Sequence, residues 1–261
     1  MHAYILEHEN EVARLEKQNL MKNYNVCDEL TDIVVTEQMD VLDAGCGTGV
    51  VTRHVLKNFN PKSMSAIDYS ETRLAQAKRL CSSECKKGKA EFKHFDLMND
   101  SLSPNAYDLI LSRFVMHHLP KPQIAIDTLS KSLKAKGKLV VIDSDGIMFN
   151  IHTDDRWLNR TLDKIKSKLE LDMFVGRKLK MFMHHSKLIN LESRLIPMHF
   201  TGEELKHERD QYQERFFALS DLLGNLLGKE SSKFVEHYLA ALEEPATELF
   251  YNKFICQGTA K

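Results

Sequence analysis

The sequence predicts an α/β fold in which a largely parallel sheet carries helices on both faces. Two patterns indicate this class: short apolar runs alternate with helical stretches from Met39 onwards, and a glycine-rich turn follows the first of these runs. A length of 261 residues suits one large domain with insertions better than two independent domains. Apolar residues (43%) and charged residues (28%) occur as in ordinary globular proteins, so a packed core is expected.

The predicted strands of the first half are short apolar segments, each followed by turn residues or a helical stretch. They are Asp40–Asp43, Ser65–Asp68, Glu91–Phe95, Tyr107–Ser112 and Lys138–Asp143. Helices are predicted near 49–58, 71–81 and 122–134. After Asp145 we predict a long helix through residues 157–169, a helix over 176–188, a strand over 191–200, helices over 203–227 and 231–243, and a last strand over 248–257.

The predicted domain organisation is a helical cap or lid over residues 1–36, followed by one domain over 37–261. The cap is rich in Glu, Lys, Arg and Leu and contains neither Pro nor Gly. Helical insertions are expected at about 146–175 and 203–245.

Charge and cysteine content exclude several classes of partner. A net charge of −1 produces no overall electrostatic attraction for a polyanion, so we expect no nucleic-acid partner. No apolar run has the length of a membrane span, and the first residues lack the apolar core of a signal peptide. Five scattered cysteines fit a reducing cytoplasm, and none has the neighbours that a metal site requires.

The strongest motif is the segment from Val41 to Gly49, in which an apolar strand enters a glycine-rich turn that opens a helix. Glycines at 45, 47 and 49 allow a tight turn and close approach of a ligand, and the helix N-terminus favours negative charge. A nucleotide-like ligand is therefore expected. The dinucleotide-binding fingerprint would need glycine where Val50 stands.

Acidic residues end the next two strands. Asp68 can accept hydrogen bonds from both hydroxyls of a ribose, with Tyr69 against an adenine, although capping of the next helix is an alternative role for Asp68. Asp96 can accept from an adenine amine while Leu97 packs on the ring. The alternative for Asp96 is that it stabilises its own loop.

Residues 39–143 resemble, motif by motif, the class I (Rossmann-like) S-adenosylmethionine-dependent methyltransferases. The resemblance implies that Gly45 holds the methionine moiety, Asp43 lies near its amino group, Asp68 binds the ribose, and Asp96 with Leu97 binds the adenine. It also implies a three-layer, seven-stranded mixed sheet with an antiparallel last strand. The turn Lys136-Gly137-Lys138 departs from the family's usual Pro-Gly-Gly.

The N-terminal segment resembles a small-molecule subgroup of that family through Tyr4-Ile5-Leu6 and the stretch from Glu11 to Gln18, and the Gly176–Leu179 stretch is also similar. Its polar and aromatic groups recur at three- and four-residue steps, which would place them on one helix face: Tyr4, Glu7, Glu11, Arg14 and Gln18. We expect this face to form a lid that uses Tyr4, Arg14 and Gln18 to bind the cofactor. The alternative is a solvated amphipathic helix packed by Ile5, Val12 and Leu15.

The segment after the fourth strand supplies the candidate catalytic groups. His117 and His118 could each accept a proton from the acceptor, or could be structural. Ser112 and Arg113 are expected at the cofactor; Arg113 would bind the methionine carboxylate or a substrate anion, with a salt bridge as its alternative.

Other polar or sulfur-containing residues are interpreted structurally. Asp143 and Asp145 are expected to cap loops, and His184-His185 to pack or lie at the surface. The methionines at 173, 181 and 183 are interpreted as core filling rather than pocket lining.

The predicted function is methyl transfer from S-adenosylmethionine to a small-molecule acceptor by in-line displacement. One alternative is a protein that binds the cofactor without methyl transfer. The other is a nucleic-acid methyltransferase, which would carry a Pro-Pro-aromatic signature that Ser112-Arg113-Phe114-Val115 lacks. The atom that receives the methyl and the oligomeric state are left open.

Overall fold

The computed structural model of the protein describes residues 11–261. Its strands, in chain order, are β1 (Asp40–Ala44), β2 (Ser63–Asp68), β3 (Ala90–His94), β4 (Tyr107–Arg113), β5 (Leu133–Asp145), β6 (Ile151–His152), β7 (Ile189–Phe200) and β8 (Glu248–Thr259). Its helices are α1 (Glu11–Gln18), α2 (Val26–Glu29), α3 (Val50–Asn58), α4 (Glu71–Leu80), α5 (Ser82–Lys86), α6 (Pro122–Lys131), α7 (Arg156–Lys168), α8 (Leu179–His185), α9 (Gly202–Ala218), α10 (Ser220–Leu227) and α11 (Ser231–Ala241).

The strands form one mixed sheet. The order across it is β3-β2-β1-β4-β5-β8, and β7 pairs with the far edge of β8. Neighbouring strands from β3 to β5 are parallel, whereas β8 is antiparallel to both β5 and β7. The predicted mixed sheet with an antiparallel last strand is therefore confirmed. The two-residue β6 is an additional strand, which pairs with the beginning of β8.

The sheet separates two apolar layers because successive side chains of a strand point to opposite faces. Leu42 and Ile110 pack in one cluster with α6 and α8, whereas Val41 and Leu109 pack in another with α3. This produces the three-layer arrangement. A third cluster gathers α7, α9, α10 and α11 beyond the ends of β5 and β7.

The segments before β1 and after β7 differ from the predicted helices. The part of the N-terminal segment that the structure describes is broken into α1, a 3₁₀ turn at Lys22–Tyr24 and the short α2. The helix predicted over 203–227 is two helices, α9 and α10, which meet at Leu219. No helix among the described residues is long and apolar enough to cross a membrane.

Candidate active site

A cavity of about 280 Å³ lies at the carboxyl ends of the parallel strands, where ligands bind in open α/β sheets. It brings together most of the predicted site residues: Arg14, Gln18, Asp43, Gly45, Gly47, Asp68, Tyr69, Asp96, Leu97, Arg113, His117 and His118. Gly49 and Ser112 are not in its lining. Tyr4 and Glu7 lie outside the described residues.

The glycine-rich loop is held by backbone hydrogen bonds and by steric limits. The amides of Gly45 and Cys46 donate to the Ile67 carbonyl at 2.8 and 2.9 Å. Gly45 has φ +76°, and a Cβ there would lie 2.3 Å from Val115 Cγ2, so only glycine fits this position. Gly49 serves packing instead, because a Cβ there would lie 3.2 Å from the Cβ of Ala77 on α4.

Asp68 ties the end of β2 to the glycine-rich loop. Its Oδ2 accepts from the Gly47 amide at 2.7 Å, and its Oδ1 accepts from the Ser70 amide at 2.9 Å. The N-cap of α4 is Ser70, whose hydroxyl accepts from the Arg73 amide at 3.3 Å. Each carboxylate oxygen of Asp68 thus accepts one backbone hydrogen bond and can accept a second, and the residue lines the cavity while Ser70 caps the helix.

Asp43 is a carboxyl group buried beside the same loop. Its Oδ2 accepts from the backbone amide of Thr52 at 3.0 Å and from the Thr52 hydroxyl at 2.7 Å. Burial raises the pKa of Asp43 to about 7, against the effect of the Thr52 hydrogen bonds. Ser112, by contrast, donates its hydroxyl to the Ala44 carbonyl at 3.0 Å and so fixes β1 against β4.

The segment after β3 places Asp96 and Leu97 in the cavity wall. Asp96 stabilises its own turn, since Oδ1 accepts from the Met98 amide and Oδ2 from the Asn99 side chain, both at 2.8 Å. Leu97 is buried. Tyr69 packs its ring 5.5 Å from that of His94. The loop-stabilising role of Asp96 is thus present in the structure, together with exposure to the cavity.

His117 forms a buried pair with Asp143. Nδ1 of His117 lies 2.6 Å from Asp143 Oδ1, and Oδ2 of the same carboxylate accepts from the Met116 amide at 2.7 Å. Asp143 therefore caps the 3₁₀ turn that carries both histidines and also orients one of them. The two imidazole rings lie 3.9 Å apart. Burial lowers the pKa of His118 well below its usual range, and the neighbouring His117 acts in the same direction.

Arg113 lines the cavity and is hydrogen-bonded to the N-terminal segment. Its Nε donates to Glu29 Oε2, its Nη1 to Asn19 Oδ1 at 3.1 Å and its Nη2 to the Tyr24 carbonyl at 2.7 Å. Glu29 also accepts from Lys253 Nζ at 2.7 Å. The salt bridge that was the alternative role of Arg113 is thus present, because Glu29 is fully buried and needs compensating charge, while binding of a ligand carboxylate by Arg113 stays a prediction.

Helix α1 lies over the glycine-rich loop. Arg14 and Gln18 are hydrogen-bonded to each other at 3.5 Å and both line the cavity. Glu16 accepts from the Thr48 hydroxyl at 2.6 Å and from Arg53 at 2.8 Å. Leu15 also lines the cavity, so the helix presents polar and apolar groups to it.

Comparisons with known proteins agree with this geometry. Residues 42–139 match the family model described as "Methyltransferase domain". Malonyl-[acyl-carrier protein] O-methyltransferase of Halalkalibacterium halodurans is 26% identical over 212 residues, which cover 78% of this chain and 76% of that protein. Residues 42–139 thus carry a methyltransferase domain.

Solved structures share the fold. Phosphoethanolamine N-methyltransferase 2 of Haemonchus contortus, in complex with S-adenosyl-L-methionine, has a TM-score of 0.66 and 14% identity; the match covers 100% of this chain and 61% of that chain. The [4+2]-cyclase SpnF has a TM-score of 0.56 and 16% identity, with 89% of this chain and 79% of that chain covered. The chain thus spans about three fifths of the length of the Haemonchus enzyme.

The far end of the cavity is built by residues that the sequence analysis did not assign to the site. They come from α7, from the loop after it, and from α9, α10 and β8: Ile165, Leu169, Leu171, Met173, Tyr212, Arg215, Phe216, Leu219, Leu222, Leu223, Leu226 and Tyr251. Met173 is therefore a pocket residue, not core filling. The sequence signal for these residues is the apolar periodicity of their helices, and that pattern does not distinguish a helix face in a core from one that lines a cavity.

The remaining candidates have structural roles. Asp145 is buried and accepts from the Arg177 backbone amide at 3.0 Å and from its guanidinium at 2.5 Å, so it fixes the start of the Gly176–Lys178 turn. Met183 is buried in the core and Met181 is exposed. The described residues hold no group of three or more His, Cys, Asp or Glu side chains suited to a metal ion.

Proposed function

We propose that this chain transfers a methyl group from S-adenosylmethionine to a small-molecule acceptor by in-line displacement. The observation that carries the proposal is that the glycine-rich loop, Asp43, Asp68 and His117 all line one cavity, with Asp143 hydrogen-bonded to His117 behind it. When bound, S-adenosylmethionine supplies an electrophilic methyl group on a sulfonium, so the protein has mainly to align the acceptor and exclude water.

The residues of the charged end of the cavity fit such a cofactor. A buried carboxyl with a raised pKa is stabilised by a nearby cation, and Asp43 would hold the amino group of the methionine moiety. Gly45 lines the cavity, where its backbone would contact the methionine moiety. Asp68 would bind the ribose hydroxyls, and Leu97 with Asp96 would contact the adenine.

His117 is the proposed general base. Because the carboxylate of Asp143 accepts at Nδ1, the imidazole keeps its proton there and Nε2 is left to accept one from the acceptor. Asp143 acts as a positioning residue that sets the tautomer and the ring orientation. His118 remains neutral at pH 7, since its pKa is lowered, and stacks against the ring of His117.

The N-terminal segment up to residue 36 is proposed to act as the lid over the cofactor, and residues 37–261 as the methyltransferase domain, with helical insertions at about 146–175 and 203–245. Arg14, Gln18 and Leu15 of α1 line the cavity, and Glu16 binds the glycine-rich loop. Closure of such a lid would exclude water from the reacting atoms. We place the activity in the cytoplasm because the five cysteines are free thiols.

Calorimetry with S-adenosylhomocysteine tests cofactor binding. The intact protein should bind, and Asp68→Ala should weaken binding strongly; absence of binding by the intact protein under several buffer conditions would refute the proposal. Formation of S-adenosylhomocysteine from S-adenosylmethionine with a metabolite extract tests turnover. Binding without turnover would instead support an activity other than methyl transfer, as the cyclase with this fold illustrates.

A further inference from the structure

We propose that the methyl acceptor is an uncharged molecule with an extended apolar body and an oxygen-bearing polar group, which occupies the far end of the cavity. This inference rests on the proposed function, because it assigns the substrate class of the same site. Three independent features of the cavity wall support it.

The first feature is the segregation of charge along the wall. Up to Pro120 the lining contains Asp43, Asp68, Asp96 and several basic side chains. Among the lining residues that the structure describes beyond residue 143, Arg215 is the one charged side chain, and most of the others are aliphatic or aromatic. The charged end suits a cofactor with an amine, a carboxylate and a ribose, which leaves the apolar end for the acceptor.

The second feature is an apolar helix face that the protein itself covers only in part. Leucines recur on α10 and at its N-cap at steps of three and four residues, so they share one face, and all four line the cavity: Leu219, Leu222, Leu223 and Leu226. Leu223 is buried, but the other three are only half-buried. An apolar ligand that removes this leucine face from water therefore binds more favourably.

The third feature is a pair of buried polar atoms in this wall. Ser144 Oγ and Arg215 Nη1 are buried and have no hydrogen-bond partner among the described residues. The charge of Arg215 is already opposed by Glu208, whose Oε2 lies 3.6 Å from Nη1, and its Nη2 donates to the Tyr24 hydroxyl at 3.3 Å. The wall therefore offers hydrogen bonds without net charge, which favours a hydroxyl or carbonyl over an anionic group.

Ser144 also connects the apolar end to the proposed base. Its amide donates at 2.7 Å to Asp143 Oδ1, the same carboxylate oxygen that holds His117. An acceptor whose oxygen binds Ser144 would therefore have its polar group beside His117, with the apolar body directed toward α10.

The experiment uses the full chain saturated with S-adenosylhomocysteine and a series of straight-chain primary alcohols from 1-butanol to 1-octanol as probes, with binding measured by calorimetry. Each added methylene should tighten binding by roughly fourfold while the chain still lies against the leucine face. Leu222→Glu should abolish this dependence on chain length. Leu195→Glu, at a half-exposed leucine of β7 outside the cavity, is the matched control and should behave as the unsubstituted protein.

Ser144→Ala tests the polar contact separately. It should weaken the binding of every alcohol by a similar factor, roughly fivefold, without changing how the affinity depends on chain length. If Leu222→Glu fails to fold, Leu226→Trp provides a second test, because it should fill the pocket and exclude the longer alcohols first. Affinity independent of chain length in a protein that binds S-adenosylhomocysteine would overturn the inference but not the proposed function; absence of S-adenosylhomocysteine binding would overturn both.

Discussion

The hydroxyl of Thr48, in the glycine-rich loop, donates a hydrogen bond to Glu16 of α1 across 2.6 Å. The same carboxylate pairs with Arg53 of α3 at 2.8 Å. One acidic side chain thus joins the N-terminal segment both to the loop that is proposed to hold the cofactor and to the helix that follows it. Any motion that opens α1 away from the cavity has to break these bonds.

Glu16→Ala should therefore weaken the binding of S-adenosylhomocysteine without unfolding the domain. Since the pair is partly exposed, we expect a loss of roughly fivefold, mainly through faster dissociation. Stopped-flow displacement measures the dissociation rate. The neighbouring Lys17→Ala is the control, because Lys17 is exposed and its ion pair with Glu214 spans 3.7 Å. Equal dissociation rates in the two variants would contradict a lid held by Glu16.

His117→Gln should lower kcat by about 10²- to 10⁴-fold if the imidazole accepts the acceptor's proton. The affinity for S-adenosylhomocysteine should change little, since His117 is not assigned to the cofactor. Single-turnover assays at saturating S-adenosylmethionine would show the loss in the methyl-transfer step itself. His118→Gln is the comparison, because the lowered pKa of His118 makes it a poor proton acceptor. A large loss of kcat in His118→Gln alone would reverse the assignment.

Asp143→Asn tests the positioning role. An amide in place of the carboxylate can still contact Nδ1, but it no longer favours the tautomer with the proton on that atom, so Nε2 loses its role as acceptor. We expect kcat to fall with KM nearly unchanged. NMR of the imidazole nitrogens should show the change of tautomer directly. An unchanged tautomer in an inactive variant would mean that Asp143 acts only by capping the turn at Met116.

The fold, and the residues that meet at the glycine-rich end of the cavity, could be predicted from the sequence because their patterns are local. Strand periodicity and the order strand, glycine turn, helix are readable within a few residues, as at Val41–Gly49. The acidic residue that ends a strand can be recognised from the same local pattern, as Asp68 illustrates. The pairing of neighbouring strands then brings these local features together at one edge of the sheet.

The features that the sequence did not reveal depend on distant partners. Arg113 pairs with Glu29, which is 84 residues away in the chain, and no local pattern indicates that partnership. The break at Leu219 inside a continuous helical pattern lets α10 fold back toward α7 and α11, and this creates the leucine-lined wall. Apolar spacing predicts such a helix but does not reveal whether its face meets another helix or a cavity.

The raised pKa of Asp43 makes cofactor binding depend on pH. Below about pH 7 the carboxyl is protonated in the free protein, whereas the ligand's amino group favours the carboxylate. The dissociation constant for S-adenosylhomocysteine should therefore rise as the pH falls below 7, by up to about tenfold per pH unit, and level off above 7. Calorimetry between pH 5.5 and 8.5 measures this. Asp43→Asn should bind more weakly and lose the dependence.

The raised pKa of Asp43 also makes the stability of the apo protein depend on pH, but stability falls as the pH rises, whereas cofactor binding strengthens. Because the pKa of Asp43 is about 7 when folded and 3.8 in a model peptide, the folded protein gains stability from protonation at low pH and loses it as the pH rises from about 4 to 7. Asp43→Asn keeps an acceptor for Thr52 and carries no buried charge. At pH 8 its Tm should exceed that of the unsubstituted apo protein by several degrees. A lower Tm would show that the carboxylate is well solvated.

Substitution of Glu29 should destabilise the fold strongly. Its side chain is fully buried between Arg113 and Lys253, and Lys253 is itself buried and also donates to the Asn23 carbonyl at 2.6 Å. Glu29→Ala leaves two buried cations without their counter-charge, so we expect a loss of about 3 to 5 kcal/mol in the free energy of unfolding. Urea denaturation measures this value.

Asp32→Ala provides the matched control, since Asp32 is exposed and its pairing with Arg194 spans 3.7 Å. It should change the free energy of unfolding by less than about 0.5 kcal/mol. Adding Lys253→Met to Glu29→Ala removes one of the uncompensated charges and should recover part of the loss. If Glu29→Ala were no more destabilising than Asp32→Ala, water would have to reach the buried cations, and the attachment of the N-terminal segment to the end of β4 would depend on contacts other than this ion pair.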